Sequence, residues 1–234
     1  MKMPLTELLK EDRDYCIHRM RDSHRKVLKR YPNQLFVAGG FIRSCISNEK
    51  INDIDLFAST PDKAREIAAV VRAFEGKAQY ETANAITIRT QPFATQFIHR
   101  WTFANPEECI QSFDFTIAKS AIWWDGTEWK SACDLRFYPD LAAKRLIYCS
   151  PVREEAAGGS MLRVLKFYRR GYRIPMDSLG AVIGRIAAAS GDALMDDGDD
   201  LDSIITGLLK EVDPDIDPDH ESHLPTTDPN EPAF

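Results

Sequence analysis

Residues 35–58 constrain the fold of this chain more than any other stretch of its sequence. The apolar run LFVA stops at a pair of glycines, Gly39 and Gly40, and a second apolar run begins with two aspartates one residue apart, Asp53 and Asp55. The pattern predicts a strand, a glycine turn, a short helix and a second strand. Together these parts predict a site that handles a nucleoside triphosphate with magnesium.

The two aspartates are predicted to project from the same face of their strand, because residues two apart in a β-strand point the same way. Ile54 between them then faces the core. Two carboxylates this close repel one another, and a hard divalent cation is the usual partner that removes the repulsion. Asp53 and Asp55 therefore predict a magnesium site. A pair of such ions could activate an attacking hydroxyl and stabilise a leaving pyrophosphate.

The glycine turn supplies the features that a phosphate site needs. Gly39 and Gly40 have no side chains, so the backbone can turn sharply and come close to a ligand. The segment that begins at Phe41 is predicted to aim free N–H groups at a phosphate. Arg43 adds a guanidinium fork suited to phosphate oxygens, and Ser44 adds a hydroxyl. A glycine pair alone is usually a turn, and D-x-D alone is usually a strand end, but their combination favours function.

The rest of the first 150 residues predicts a mixture of helices and strands. Residues 5–30 are predicted to be helical and basic, and Thr60-Pro61 predicts the start of a helix that ends near Gly76. In the segment SFDFTIAKSAIWWDGTEW, alternating residues predict a strand around Asp114, and Asp125-Gly126 predicts a hairpin turn. Further strands are predicted at 78–82, 85–90 and 95–100, and a short helix from Asn105-Pro106 to Gln111.

Length and composition exclude several classes of protein. The chain has 234 residues, enough for one medium domain or for a compact domain with a smaller helical one. No apolar run reaches the roughly 18 residues of a membrane-spanning helix, and the N-terminus becomes charged too early for a secretory signal. The five scattered cysteines form no C-x-x-C pair, so neither a zinc site nor a disulfide framework is expected. A cytoplasmic location is the resulting expectation.

The net charge of −6 hides a strong segregation of charge along the chain. Residues 190–234 contain 14 acidic side chains and one lysine, whereas residues 1–189 contain 29 basic and 22 acidic side chains. A basic body suits a phosphate-rich partner. The Pro- and Asp-rich residues 211–234 are predicted to be disordered, because they contain few large apolar groups.

The stretch AGGFIRS…NDIDLF resembles the first motif of the nucleotidyltransferase superfamily that includes DNA polymerase β, poly(A) polymerases and CCA-adding enzymes. The resemblance implies that Asp53 and Asp55 bind two Mg²⁺ ions and that the glycine turn and Arg43 hold the nucleoside triphosphate. It also implies a third acid from a neighbouring strand, for which Asp114 is the candidate. Ser44 departs from the pattern, since CCA-adding enzymes usually carry aspartate there.

The resemblance extends over roughly residues 34–175. DFTIAKSAIW is similar to the D-F-T-x-N-A segment of CCA-adding enzymes and poly(A) polymerases, with Lys119 in place of the asparagine. LRVLKFYRRGYRI resembles the helix of the family's neck domain. In this chain the spacing of Arg163, Lys166 and Arg170 predicts one basic stripe along that helix. The residues that pair with the incoming base in CCA-adding enzymes are replaced, in our alignment, by Ala156, Ala157 and Ser160.

These observations predict an α+β fold with a polymerase-β-like head, a mixed sheet flanked by helices, over residues 1–150. A helical neck over 151–210 and the acidic tail follow. The predicted reaction is magnesium-dependent transfer of a nucleotide from an NTP, such as ATP, to a hydroxyl, preferably an RNA 3′ end. Two alternatives remain: nucleotidylylation of a protein or small molecule, and a degenerate head that only binds nucleotide or RNA. The predicted catalytic and metal-binding residues are Asp53, Asp55 and Asp114, and the predicted nucleotide-binding residues are Gly39, Gly40, Arg43, Ser44, Arg163 and Lys166.

Overall fold

A mixed sheet of eight strands forms the centre of the protein in the computed structural model, which describes residues 4–75, 79–149 and 158–197. The strands are β1 (Leu5–Thr6), β2 (Leu35–Ala38), β3 (Asp53–Ala58), β4 (Gln79–Glu81), β5 (Ala85–Ile88), β6 (Ala94–Ile98), β7 (Ser120–Trp124) and β8 (Trp129–Asp134). Their order across the sheet is β1-β8-β7-β2-β3-β6-β5-β4. Strands β3 and β6 are parallel, and the other neighbours are antiparallel. The predicted α+β class with a mixed sheet is confirmed.

Helices flank the sheet and continue beyond it. They are α1 (Lys10–Arg19), α2 (Asp22–Arg30), α3 (Gly40–Ile46), α4 (Pro61–Glu75), α5 (Pro106–Ser112), α6 (Phe137–Ala142), α7 (Gly158–Tyr168) and α8 (Met176–Asp197). We call α7 and α8 the neck helices. None of the helices in the described ranges is long and apolar enough to cross a bilayer.

Two helix starts predicted from the sequence are confirmed by their caps. The Thr60 hydroxyl accepts a hydrogen bond from Lys63 N at 3.1 Å, and α4 begins at the next residue, Pro61. Asn105 caps α5 in the same way, accepting from Glu108 N at 2.9 Å. Each cap satisfies an N–H group that has no partner inside its helix.

Strand β3 separates the two cores that lie on either side of the sheet. Ile54 and Leu56 are fully buried and pack in the larger core with residues of α1, α2, α3 and α4. Phe57 lies in the smaller core, together with residues of α5. Burying an aliphatic side chain of this size contributes about 1.5–3 kcal/mol, which strongly favours this register of β3. Asp53 and Asp55 consequently share the face of Phe57.

The prediction that residues 5–30 are helical is confirmed for most of the segment but not for its beginning. Leu5–Thr6 instead forms strand β1 and pairs with β8, with Leu5 opposite Asp134. The remaining residues form two helices, because Met20 and Arg21 have extended backbone conformations between them. Met20, at the break between the helices, is buried in the larger core.

The prediction of a strand around Asp114 is also wrong, because tertiary contacts hold this segment. Thr116–Ala118 forms a single 3₁₀ turn, and strand β7 begins only at Ser120. The Thr116 hydroxyl donates to Asp140 at 2.7 Å. Asp140 comes from α6, so local alternation of residues could not reveal this contact.

The other strand predictions are confirmed within one or two residues by β4, β5 and β6. The hairpin turn predicted at Asp125-Gly126 connects β7 and β8. Ala156, Ala157 and the predicted tail 211–234 lie outside the described residues.

Candidate functional site

The two aspartates lie at the beginning of β3 on the less covered face of the sheet. Both are partly exposed, whereas Ile54 between them is fully buried. Burial raises the pKa of the Asp53 carboxyl, and the nearby positive charges of Lys166, Arg43 and Arg170 oppose this shift, in decreasing order. Asp53 therefore lies near cations from both the head and the neck helix α7.

The glycine turn lies beside this pair because β2 runs antiparallel to β3. Val37 is opposite Leu56, so the end of β2 adjoins the aspartate end of β3. Gly39 has a φ of +76°, which side-chain-bearing residues rarely adopt, and its N–H donates to Ser120 O at 3.0 Å. A Cβ on Gly39 would lie 3.0 Å from two ring atoms of Phe113. Both backbone conformation and space require glycine at this position.

Replacing Gly39 by alanine is expected to lower the free energy of unfolding by about 1–3 kcal/mol, because of backbone strain and the contact with Phe113. Gly40→Ala is the matched control. A Cβ on Gly40 would only approach the Arg43 guanidinium, at 3.9 Å, and alanine is favoured over glycine within a helix. Chemical denaturation of both variants measures the difference; equal stability of the two would contradict the explanation.

Arg43 and Ser44 are buried in the protein rather than displayed on its surface. Only 6% of Arg43 is exposed, and one of its terminal nitrogens donates to Ser44 Oγ at 3.0 Å. The guanidinium lies 4.8 Å from the centre of the Phe167 ring on α7. Its Nε lies 3.4 Å from Glu49 Oε2, close enough for an ion pair but without hydrogen-bond alignment. Burial lowers the pKa of Arg43, which Glu49 partly offsets. A triphosphate contact from this side chain stays a prediction.

Glu49 is a residue of this region that sequence reasoning missed. Its Oε1 accepts a hydrogen bond from the Tyr172 hydroxyl at 2.7 Å, and Arg170 donates to its Oε2 at 3.4 Å. Together with Arg43, these contacts connect the loop after α3 to the end of α7. No motif marks Glu49, because all of its neck partners are more than a hundred residues away in the sequence.

Asp114 also contacts the neck. Its Oδ2 accepts from Ser160 Oγ at 2.9 Å and from Arg163 at 2.5 Å, and the residue is 1% exposed. In the described ranges, no three or more His, Cys, Asp or Glu residues come together as a metal-binding group. The role of Asp114 as a third metal ligand beside the β3 aspartates stays a prediction. The structure gives Asp114 a contact between head and neck.

The predicted basic stripe of α7 is divided among three different environments. Arg163 contacts Asp114, and Arg170 contacts Glu49. Lys166 is exposed on the helix surface and acts electrostatically on Asp53. Of the three predicted cations, Lys166 is the one available to an incoming anionic ligand.

Lys119, which replaces the asparagine of the resembled motif, has a structural environment. It is 1% exposed, and its Nζ donates to the carbonyl oxygens of Ile110 and Gln111 at 3.2 and 3.0 Å. These carbonyls lie in the last turn of α5, where a cation is favourable. Lys119 thus fixes α5 against the strand that follows it.

Asp140 holds the segment that carries Asp114. It is fully buried, and besides Thr116 it accepts hydrogen bonds from Arg136 Nε at 3.2 Å and from Arg145 Nε at 2.9 Å. A buried carboxylate is stable when charged donors compensate it in this way. The 3₁₀ turn is thereby joined to α6 and positions Asp114 towards the neck.

The donor set at β3 fits magnesium. Asp53 and Asp55 offer hard carboxylate oxygens on one face of a rigid strand, and magnesium needs only one or two carboxylates when phosphate oxygens and water complete its shell. Burial disfavours the charged form of Asp53, and a bound cation would compensate for that cost.

Solved structures of tRNA-processing enzymes share this fold. The Thermotoga maritima CCA-adding enzyme complexed with tRNA is 16% identical, with a TM-score of 0.56 over 92% of this chain and 52% of that one. A CCA-adding enzyme in complex with CTP is 14% identical, with a TM-score of 0.57 over 82% of this chain and 49% of that one. The predicted polymerase-β-like nucleotidyltransferase fold is confirmed.

Sequence comparison identifies a family. A curated relative, "Gabija anti-defense 2" of Bacillus phage SPbetaL7, is 29% identical over 96 residues, which are 41% of this chain and 24% of the relative. The chain thus aligns with about a quarter of that relative's length. The sequence model of the family described as "Gabija anti-defense 2 family protein" matches residues 7–144 of this chain. The matched residues include β2, the glycine turn, β3 and Asp114. Since this match covers more than half of the chain, the protein belongs to the Gabija anti-defense 2 family.

Proposed function

We propose that this protein transfers a nucleoside monophosphate from an NTP to an acceptor hydroxyl, preferably the 3′ end of an RNA, and releases pyrophosphate. The observation that carries the proposal is the arrangement around β3. Asp53 and Asp55 lie partly exposed on one face, next to the glycine turn, and Lys166 contributes positive charge from the neck. The nucleotidyltransferase fold supports the same general chemistry.

In this proposal Asp53 and Asp55 hold Mg²⁺. Bound magnesium would polarise the phosphate oxygens and lower the pKa of the attacking hydroxyl. The side chains and backbone of this chain supply the remaining requirements, which are binding, orientation and charge compensation.

The triphosphate lies in this proposal between the glycine turn and α7. Gly39 and Gly40 allow the backbone to approach the phosphates, and Lys166 neutralises part of their charge. The acceptor oxygen forms a bond to the α-phosphorus as the bond between that phosphorus and the oxygen bridging to the β-phosphate breaks. Pyrophosphate leaves with that oxygen, and the hydroxyl proton passes to solvent.

Arg43, Ser44, Arg163 and Asp114 act in this proposal mainly by positioning. Arg43 and Ser44 belong to the helix after the glycine turn, and the contact of Arg43 with Phe167 packs that helix against α7. Arg163 and Asp114 hold the first turns of α7 against the head, so that Lys166 faces the aspartates.

An RNA acceptor is supported by the similar Thermotoga maritima enzyme in complex with tRNA, and an NTP donor by similar enzymes in complex with ATP and CTP. A second candidate keeps the chemistry and changes the acceptor. The family name denotes proteins that act against the Gabija defense, and the relative is a phage protein. Nucleotidylylation of a host defense protein or of a small molecule would fit such a role.

One experiment distinguishes these functions. The protein is incubated with each α-labelled NTP, Mg²⁺ and either total bacterial RNA or bacterial lysate. The variants Asp53→Asn and, as a control, Asp62→Asn are treated in the same way; the Asp62 side chain is fully exposed on α4. Labelled RNA that depends on Asp53 supports the main proposal, whereas labelled protein or small molecules support the second. NTP binding without any Asp53-dependent label would reject both and indicate a nucleotide-binding protein without transferase activity.

A further inference from the structure

The surface around the C-terminal end of α7 is strongly basic. Residues 158–175 contain five arginines and lysines and no acidic residue. Arg163 and Arg170 are used in ion pairs with the head, but Lys166, Arg169 and Arg173 are exposed. Among the described residues, no carboxylate forms an ion pair with these three cations. Their charge is therefore available to an external anion.

An exposed aromatic ring lies among these cations. Tyr168 is 57% exposed, and the Arg173 guanidinium lies 4.9 Å from the centre of its ring. Exposed aromatic rings interleaved with cations are typical of surfaces that bind single-stranded nucleic acid, because bases stack on the rings while cations contact the phosphates. An acidic protein partner would use the cations but would not require the ring.

Lys144 adds a cation to this surface at a conformational cost. It follows the end of α6 with a φ of +46°, where glycine or asparagine is preferred. Its carbonyl accepts from Arg173 N at 2.8 Å, and its Nζ donates to Arg170 O at 3.4 Å, so it is fixed beside the end of α7. Lys144 is exposed, so its ammonium group adds positive charge to the surface beside Arg173.

One cation of this basic surface, Lys166, lies near the site at β3. Lys166 acts electrostatically on Asp53, and the backbone N–H of Arg173 donates to the carbonyl of Lys144 beyond the end of α7. We propose that Lys144, Lys166, Tyr168, Arg169 and Arg173, the α7 surface, bind the phosphates and bases of single-stranded RNA whose 3′ end lies at Asp53 and Asp55. The position of the 3′ end rests on the proposed function, whereas binding to the α7 surface can be measured without it.

The test measures the fluorescence anisotropy of a labelled single-stranded RNA at several salt concentrations and without NTP. The RNA is about 12 nucleotides long, which is within the range of known single-strand binding sites. The variant Arg169→Gln/Arg173→Gln is compared with Lys29→Gln/Arg30→Gln. The control pair removes the same number of exposed cations from helix α2. Lys29 and Arg30 lie over the rings of Trp124 and Tyr31, as Arg173 lies over Tyr168.

The α7 double variant is expected to bind at least tenfold more weakly. Its slope of log K against log salt should be shallower by about 1.4, because each phosphate contact on a single strand contributes about 0.7. The control pair should bind like the unmodified protein. Tyr168→Leu is expected to weaken binding by about tenfold through lost stacking.

Lys144→Gly separates binding from folding, since glycine relieves the strained backbone while it removes the cation. Its melting temperature should stay the same or rise, whereas its salt slope becomes shallower by about 0.7. Equal weakening by the α7 and α2 pairs, or no binding by the unmodified protein, would overturn the proposal. Stronger displacement of the RNA by polyglutamate than by unlabelled RNA would also overturn it, in favour of an acidic protein partner. RNA binding without nucleotide transfer would leave the α7 surface standing and reject only the proposed function.

Discussion

Asp53→Asn is expected to reduce nucleotide transfer by about a thousandfold or more, while the protein stays folded. In the proposed function this carboxylate holds magnesium. A bound metal stabilises the charge of the transition state by several kcal/mol, and a change of about 1.4 kcal/mol in the activation free energy changes the rate tenfold. Burial already disfavours the charged carboxyl, so the uncharged amide should not destabilise the fold. Asp55→Asn should behave in the same way, because both side chains lie on one face of β3.

The measurement combines transfer rates with thermal melting, each with and without Mg²⁺ and NTP. The Asp62→Asn control removes a carboxylate from the exposed surface of α4 and should retain both transfer and the ligand-induced rise in melting temperature. Both variants at β3 should lose that rise. If Asp53→Asn transferred nucleotide at the unmodified rate, the assignment of the β3 pair would be wrong.

Arg163→Met is expected to lower the free energy of unfolding by about 3 kcal/mol, because it breaks a buried ion pair. This value is at the lower end of the range for such pairs, since the Arg163 side chain is 27% exposed. It removes a positive charge that compensates the buried Asp114 carboxylate and leaves the longer hydrogen bond from Ser160 Oγ, at 2.9 Å, in place. For a domain of this size, the melting temperature should fall by roughly 6–12 °C. The first turns of α7 should be the part of the protein most affected.

A double-mutant cycle tests whether Asp114 acts through this contact. If Asp114 serves to hold the neck, Asp114→Asn/Arg163→Met should be more stable than Arg163→Met alone, since the buried charge is gone together with its partner. If Asp114 is instead a metal ligand, Asp114→Asn should abolish transfer as completely as Asp53→Asn, and Arg163→Met should cost little stability. The two roles thus give opposite patterns of activity and stability.

Local patterns in the sequence were sufficient for most of the secondary structure. The alternation of Asp53, Ile54 and Asp55 indicated which side chains enter the core, because a strand has a period of two and one face must be buried. The caps at Thr60 and Asn105 likewise satisfy local N–H groups, so they could be recognised without knowledge of the fold. The glycine turn belongs to the same class, although the contact of Gly39 with Phe113 was not foreseeable.

The sequence by itself determined the strand and turn that carry the two aspartates, and the resemblance built on them indicated the nucleotidyltransferase fold. Only the tertiary structure decided what the charged residues around them do. Asp114 contacts Ser160 and Arg163 of the neck, and Arg43 is buried between Glu49 and the neck. The physical reason is the sequence distance over which these interactions act. Periodicity and capping involve residues a few positions apart, whereas a buried charge is compensated by groups that the fold places beside it, however far apart they are in the sequence.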